Sequence, residues 1–350
     1  MLQAIESQLF RKIAPFTIKY IKRPDLNTKD PLVKNVIAQA AREFQVAPPV
    51  TLHQADPVLL AGVWGLMREA FVINASERVT REAVAAAVSE LNQCPYCVDV
   101  HTSMHKSAGS NKDILKGELG SGDSKEAIAY QWASASLTPD SKLIKHSQIS
   151  ENDKPQFYAT AICFHYINRM VNIFLDETPM PMPAANSQFM RKLSLSSLQF
   201  FGKRMVQLDG TPGEFLFETD NSLPLPEEFI WTKDNADIAG SLSRFSYAAE
   251  KAGKESLHSD VRALVTEHLN NWNGEAPGLG QGWLNDLINT VDIDLRPSAK
   301  LTLLSARASW QIDKKTINDF RSKTDNDKAL IQATGWASYM AVKRIASWLK

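Results

Sequence analysis

Apolar positions recur at helical spacing in one segment of the chain after another. From Pro31 to Phe44, Leu32, Val33, Val36, Ile37, Ala40 and Ala41 follow the 3.6-residue repeat. Asp56-Pro57 reads as a helix start, with Asp as N-cap and Pro at the first helical position. The segment it opens, VLLAGVWGLMREAF, is apolar on most faces and predicts a core helix. The alanine-rich run Arg81 to Leu91 predicts another, capped by Thr80 or by residues 74–77. Asn92-Gln93 interrupts it, and Cys94-Pro95 restarts a helix that runs to about Ala108 before Gly109. SKEAIAYQWASAS continues the pattern until Pro139, and Gln156 to Leu175 is strongly apolar. A short amphipathic helix over Ala4 to Ala14 is also predicted, ended by Pro15. No Val/Ile-rich alternating run of strand length occurs, so the expected class is all-α, a helical bundle.

Between residues 176 and 230 the pattern changes. Pro179, Pro181, Pro183, Pro212, Pro224 and Pro226 alternate with short turns, and Phe189, Phe200, Phe201, Phe215 and Phe217 need burial. A connecting segment with one or two short helices, packed on the domain, is expected there. The last third then reads as a faded copy of the first. Residues 333–349 align in phase with 159–175, putting Lys343 on Arg169. Residues from Ala299 align with those from Arg81, pairing Gln311 with Gln93. In that register Lys300, Ile312, Lys315 and Asp319 stand opposite Glu82, Cys94, Cys97 and His101. The copy keeps the helical pattern and loses the reactive groups.

Composition narrows the class. The chain has 350 residues, ample for a large core, and 39 basic residues balance 39 acidic ones. No global field suggests nucleic acid or an anionic membrane as partner. No run of about 18 apolar residues is present, so no membrane span is expected. The segment MLQAIESQLFRKIAPF lacks a long apolar core, although Arg11, Lys12, Lys19, Lys22 and Arg23 leave a transit peptide open. A cytoplasmic location is the default expectation. Only three cysteines occur, and two of them fall in one CxxC. In a reducing compartment that pattern reads as redox or metal chemistry.

The CxxC supports specific chemistry. Cys94 before Pro95 puts both thiols at a helix N-terminus, where orphan N–H groups and the dipole are expected to lower a thiol pKa. His101 lies four residues after Cys97, on the same face, and can accept a thiol proton. If the two helices double back on each other, a rise of roughly 1.5 Å per residue puts Glu82 about 14 Å from the turn, His101 about 9 Å and Cys97 about 3 Å. The geometry favours a relay from Glu82 through His101 to Cys97. Cys97 is then the candidate attacking thiol, and Cys94 the partner with which it can close a disulfide across one turn.

Zinc is the main alternative, since Cys94, Cys97, His101 and His105 share one stripe. Cys94 and His105 would be about 16 Å apart along one helix, too far to close a tetrahedron. No metal and no prosthetic cofactor is therefore expected. Cys-Pro-Tyr-Cys is also the glutaredoxin tetrapeptide, but there it follows a strand. His105 reads as a surface residue, and Tyr96 as either a pocket hydroxyl or exposed packing. Cys163 and His165 read as a buried inert thiol and a satisfied core histidine.

Glu82, eleven residues, Cys94-Pro95-Tyr96-Cys97, three residues and His101 together resemble the signature of alkylhydroperoxidase D-like proteins, of the carboxymuconolactone decarboxylase superfamily. Asn168-Arg169 also looks like a recurring segment of that family. The decarboxylase branch lacks the CxxC, so decarboxylation is not what this site suggests. Tyr96 departs from the pattern, because family peroxidases often carry histidine there.

The resemblance implies an all-α fold, homo-oligomeric assembly, and reduction of hydrogen peroxide or an organic hydroperoxide. A thioredoxin-like or lipoyl-type dithiol protein would recharge the site. It suggests an N-terminal extension over 1–55, a D-like repeat with the site over 56–175, the connecting segment over 176–230, and a degenerate repeat over 231–350. A thiol–disulfide oxidoreductase without peroxidase activity and a non-catalytic helical scaffold are the competing classes.

Overall fold

The computed structural model describes residues 17–74, 77–179, 202–203, 205–216 and 223–349. Its longer helices, in chain order, are α1 (Pro31–Glu43), α2 (Pro57–Met67), α3 (Arg78–Leu91), α4 (Pro95–Ser107), α5 (Lys125–Ser134) and α6 (Lys154–Phe174). They continue with α7 (Ala236–Ser256), α8 (Ser259–Asn270), α9 (Arg296–Arg307), α10 (Lys314–Arg321) and α11 (Asp327–Ser347). One isolated bridge, Ile18 to Leu175, is the β-structure among the described residues. The expected helix at Ala4 to Ala14 lies outside them, as do Phe189, Phe200, Phe201 and Phe217.

Local chemistry explains where the helices begin. Asp30 accepts from the Val33 N–H at 3.0 Å, and Asp56 from those of Val58 and Leu59 at 3.1 Å, each ahead of a proline. Helix α3 departs from the expected start. It begins at Arg78 behind Glu77, with no side-chain cap, and Thr80 lies inside it, buried. Arg78, which sequence reading placed before the helix, is thereby drawn into the core. Helix α2 runs directly into a π-helical turn, Arg68–Val72, whose five residues are all buried.

Alanine decides the packing around α3. Ala83, Ala85, Ala86 and Ala87 are at most 1% exposed, and their small side chains let α4, α5 and α6 approach α3 closely. Helix α6 is the central element, packing on α3 and on α11, while α11 also contacts α7 and α9. Apolar residues from both ends of the chain join one continuous core. Helices α9 and α10 cover the positions that the alignment from Ala299 sets opposite α3 and α4, and α11 those that the alignment of 333–349 sets opposite α6. At the positions paired with Cys97 and His101, Lys315 bonds Asp319 at 2.6 Å on the surface.

Helix α7 crosses α11 at Gly253, where the Trp336 indole occupies the space a Cβ would need. Gly253→Ala is expected to cost about 1–3 kcal/mol through overpacking. Thermal unfolding of the two proteins checks it.

Candidate active site

The turn between α3 and α4 sets the cysteines in place. Gln93 adopts the left-handed region, φ +50°, after the last residues of α3. The Cys94 N–H bonds the Ser89 carbonyl at 3.0 Å, and the Gln93 N–H that of Glu90 at 3.1 Å. That pair of bonds is a Schellman closure. Cys94 therefore ends one helix and caps the next, with Pro95 at its first position. The chain reverses, and α4 lies back along α3.

This reversal brings Glu82 and His101 together, as the rise argument requires. His101 Nδ1 lies 2.7 Å from one Glu82 oxygen, and Arg78 Nε donates to the other at 2.8 Å. Glu82 is fully buried, Arg78 nearly so and His101 6% exposed. The imidazole is held edge-on between Phe164 and Phe71, with centroids at 4.4 and 5.5 Å. The Arg78 guanidinium sits over the Phe71 ring at 4.1 Å. Burial alone would push Glu82 up, but Arg78 and His101 outweigh it and hold the carboxyl below its usual range. Glu82 is thus a fixed anion between two cationic or protonatable groups.

Both thiols are free and buried, Cys94 at 1% exposure and Cys97 at 2%. The expected lowering of thiol pKa at a helix start is reversed at Cys94. Burial pushes this thiol well up, and the adjoining Cys97 pushes it further. The Cys97 backbone N–H and the Asn168 amide act in the opposite direction. Desolvation wins because the N-terminus of α4 faces the core. Tyr96 is buried too, against the reading of exposed packing, and burial raises its phenol out of reach of neutral pH.

His105 is corrected from surface residue to core residue. It is fully buried, with Nε2 on the Glu126 carboxylate, which also accepts from Ser110 Oγ at 2.7 Å. Among the described residues no group of three His, Cys, Asp or Glu is placed to hold a metal ion. Cys163 is buried, and burial raises its thiol far above the ordinary value. His165 is satisfied on both nitrogens, by Asn92 at 3.0 Å and Ser136 Oγ at 2.9 Å.

Arg78, Phe71 and Phe164 were not singled out by sequence reasoning. A signal for Arg78 was present, since it stands one helical turn before Glu82 in the i,i+4 relation. The aromatic pair carried none, because apolar residues in apolar helices look alike in sequence.

A family model described as the carboxymuconolactone decarboxylase family matches residues 59–117, which include Glu82, both cysteines and His101. A protein named alkyl hydroperoxide reductase, from Mycobacterium tuberculosis (strain ATCC 25618 / H37Rv), is 30% identical over 321 residues. That alignment covers 91% of this chain and 90% of the relative. No solved structure gives a significant match.

Proposed function

The chain belongs to the carboxymuconolactone decarboxylase family, and from that premise we propose that it is a thiol-dependent peroxidase working through a Cys94/Cys97 dithiol–disulfide cycle. The observation that carries this reading is the buried Glu82–His101 pair, one turn beyond Cys97 on α4. Glu82 fixes His101 through Nδ1, which leaves Nε2 as the nitrogen for acid–base work.

In the proposed cycle His101 takes the Cys97 proton, and the thiolate attacks the terminal peroxide oxygen. The O–O bond breaks, and the departing alkoxide or hydroxide receives the proton from His101. Cys97 becomes a sulfenic acid. Cys94 then attacks its sulfur, water leaves with the Cys94 proton, and a disulfide closes across one helical turn. An external dithiol, thioredoxin-like or lipoyl-type, returns both cysteines to thiols. The raised Cys94 thiol fits the resolving role, since it stays protonated until an electrophilic sulfenic acid is next to it. The name of the mycobacterial relative supports the same activity.

One equivalent of hydrogen peroxide is expected to lower the free thiol count from three to one and the mass by two hydrogens. Consumption of hydroperoxide should then continue only with an added dithiol. Unchanged thiols after peroxide would rule out the cycle, and reduction of a model disulfide without peroxide consumption would favour a thiol–disulfide oxidoreductase.

A further inference from the structure

Asn92 ends α3 two positions before Cys94, and it is held by a pair of side chains that the cycle above does not use. Its side-chain oxygen accepts from Arg169 Nη1 at 3.1 Å, and its main-chain carbonyl from Asn172 Nδ2 at 2.9 Å. Both donors stand on α6, three residues apart and so on one face. Each also reaches the end of α9. Arg169 Nε donates to the Ala306 carbonyl at 2.9 Å, and Asn172 Nδ2 to Ser309 Oγ at 3.1 Å. Arginine carries only donors, so its contact fixes the Asn92 amide, whose Nδ2 then faces Asn168 Oδ1 at 3.0 Å. Asn92, Arg169 and Ser309 are at most 4% exposed, and water competes little for these bonds.

The turn held in this way is not one that local sequence favours. Gln93 sits in the left-handed region, φ +50°, which a residue with a Cβ adopts at a cost. Cys94 must nevertheless stay at the N-cap of α4, from which its sulfur and that of Cys97 can meet across one turn. Two side chains of α6 therefore tie the CxxC turn to a part of the chain that carries no cysteine.

We infer that Arg169 and Asn172 are positioning residues for the dithiol, and that the Ala306–Ser309 end of α9 acts through them to keep Cys94 placed to close on Cys97. Fixing the turn before the bond forms raises the effective concentration of one thiol at the other, and so favours the disulfide over the dithiol. The C-terminal third thus takes part in the redox chemistry without a reactive group of its own. The inference rests on the dithiol reading of the site.

The test equilibrates the full chain with glutathione redox buffers, without peroxide, then quenches with acid and counts alkylated thiols by mass. One cysteine thiolate attacks oxidised glutathione, forming a mixed disulfide and releasing one glutathione thiolate. The other cysteine, deprotonated, attacks that mixed disulfide and releases the second. The Cys94–Cys97 bond forms, the two protons given up by the cysteines return on the two glutathione thiols, and two electrons have passed to glutathione. Asn172→Ala is expected to lower the equilibrium constant for this closure about tenfold, close to 30 mV toward a more oxidising potential. Asn172→Asp, which keeps the size and loses the donor, should lower it as far. Ser309→Ala removes one of the two Asn172 bonds and should lower it about threefold. Gly253→Ala, which perturbs the α7–α11 crossing, should lower the melting temperature and leave the constant within about twofold.

Circular dichroism and melting identify a misfolded variant, and if the Asn172 variants fail to fold, Ser309→Ala decides. Constants that are unchanged or raised in the folded variants overturn the inference. So does a shift in Gly253→Ala as large as that in Asn172→Ala, since general loss of stability would then account for both. A wild-type chain that closes no Cys94–Cys97 disulfide at any glutathione ratio overturns the dithiol reading and the inference with it. A wild type that closes normally, beside variants that do not shift, overturns the inference alone.

Discussion

Replacing Cys97 by serine is expected to abolish dithiol-dependent consumption of hydroperoxide, lowering kcat/KM by at least about three orders of magnitude. Serine keeps the volume and the helix, so the fold should stay intact. It removes the sulfur that the proposed cycle uses as its nucleophile. Cys94→Ser should behave differently. Cys97 would still be oxidised once, and its sulfenic acid, lacking a resolving thiol, would persist long enough to be trapped by dimedone. One turnover without a second is the expected pattern, seen by mass spectrometry as a single adduct on Cys97. A trapped adduct on Cys94 in Cys97→Ser, with none on Cys97 in Cys94→Ser, would reverse the assignment.

The contrast between the two cysteines shows what sequence can carry. Their spacing, the helix restart at Pro95 and the distance of Glu82 from the turn are one-dimensional facts. Helical rise converts them into the Glu82–His101 contact at 2.7 Å. Which way the turn faces is a tertiary fact. Cys94 at a helix N-terminus reads as an activated thiol when the terminus meets solvent, and as a raised one when it faces a core. His105 illustrates the same point, because its one-turn offset from His101 gave no hint of Glu126, which arrives from α5. Helix α3 starts before Thr80 because Arg78 bonds buried Glu82 and lies against Phe71, interactions that outweigh local capping signals. The Asn168 amide lies furthest from sequence legibility. Its direction depends on Arg169, which depends on a carbonyl more than a hundred residues away in α9.

Glu82→Gln carries the second large expected effect, on stability and activity together. In the wild-type protein the carboxylate faces Arg78 and His101 in a site closed to water. Glutamine keeps the shape and removes the charge, leaving the Arg78 guanidinium buried without its counter-ion. Breaking a buried pair from one side costs about 3–5 kcal/mol, so the variant should melt well below the wild type at pH 7. The sign of the pH dependence follows from the direction of the shift. Glu82 is held below its unfolded pKa, so its stabilisation is complete above roughly pH 4.5 and disappears as pH falls through the folded value. The two proteins should therefore differ most near neutrality and converge in acid, where the wild-type carboxyl is protonated as well. In activity, loss of the carboxylate that holds His101 through Nδ1 leaves the imidazole unoriented, and peroxide reduction should fall by about 10²–10⁴-fold. Melting curves across pH 3 to 8, beside peroxide kinetics at pH 7, separate the two effects. A gap that stays constant into acid would show that Glu82 contributes shape rather than charge.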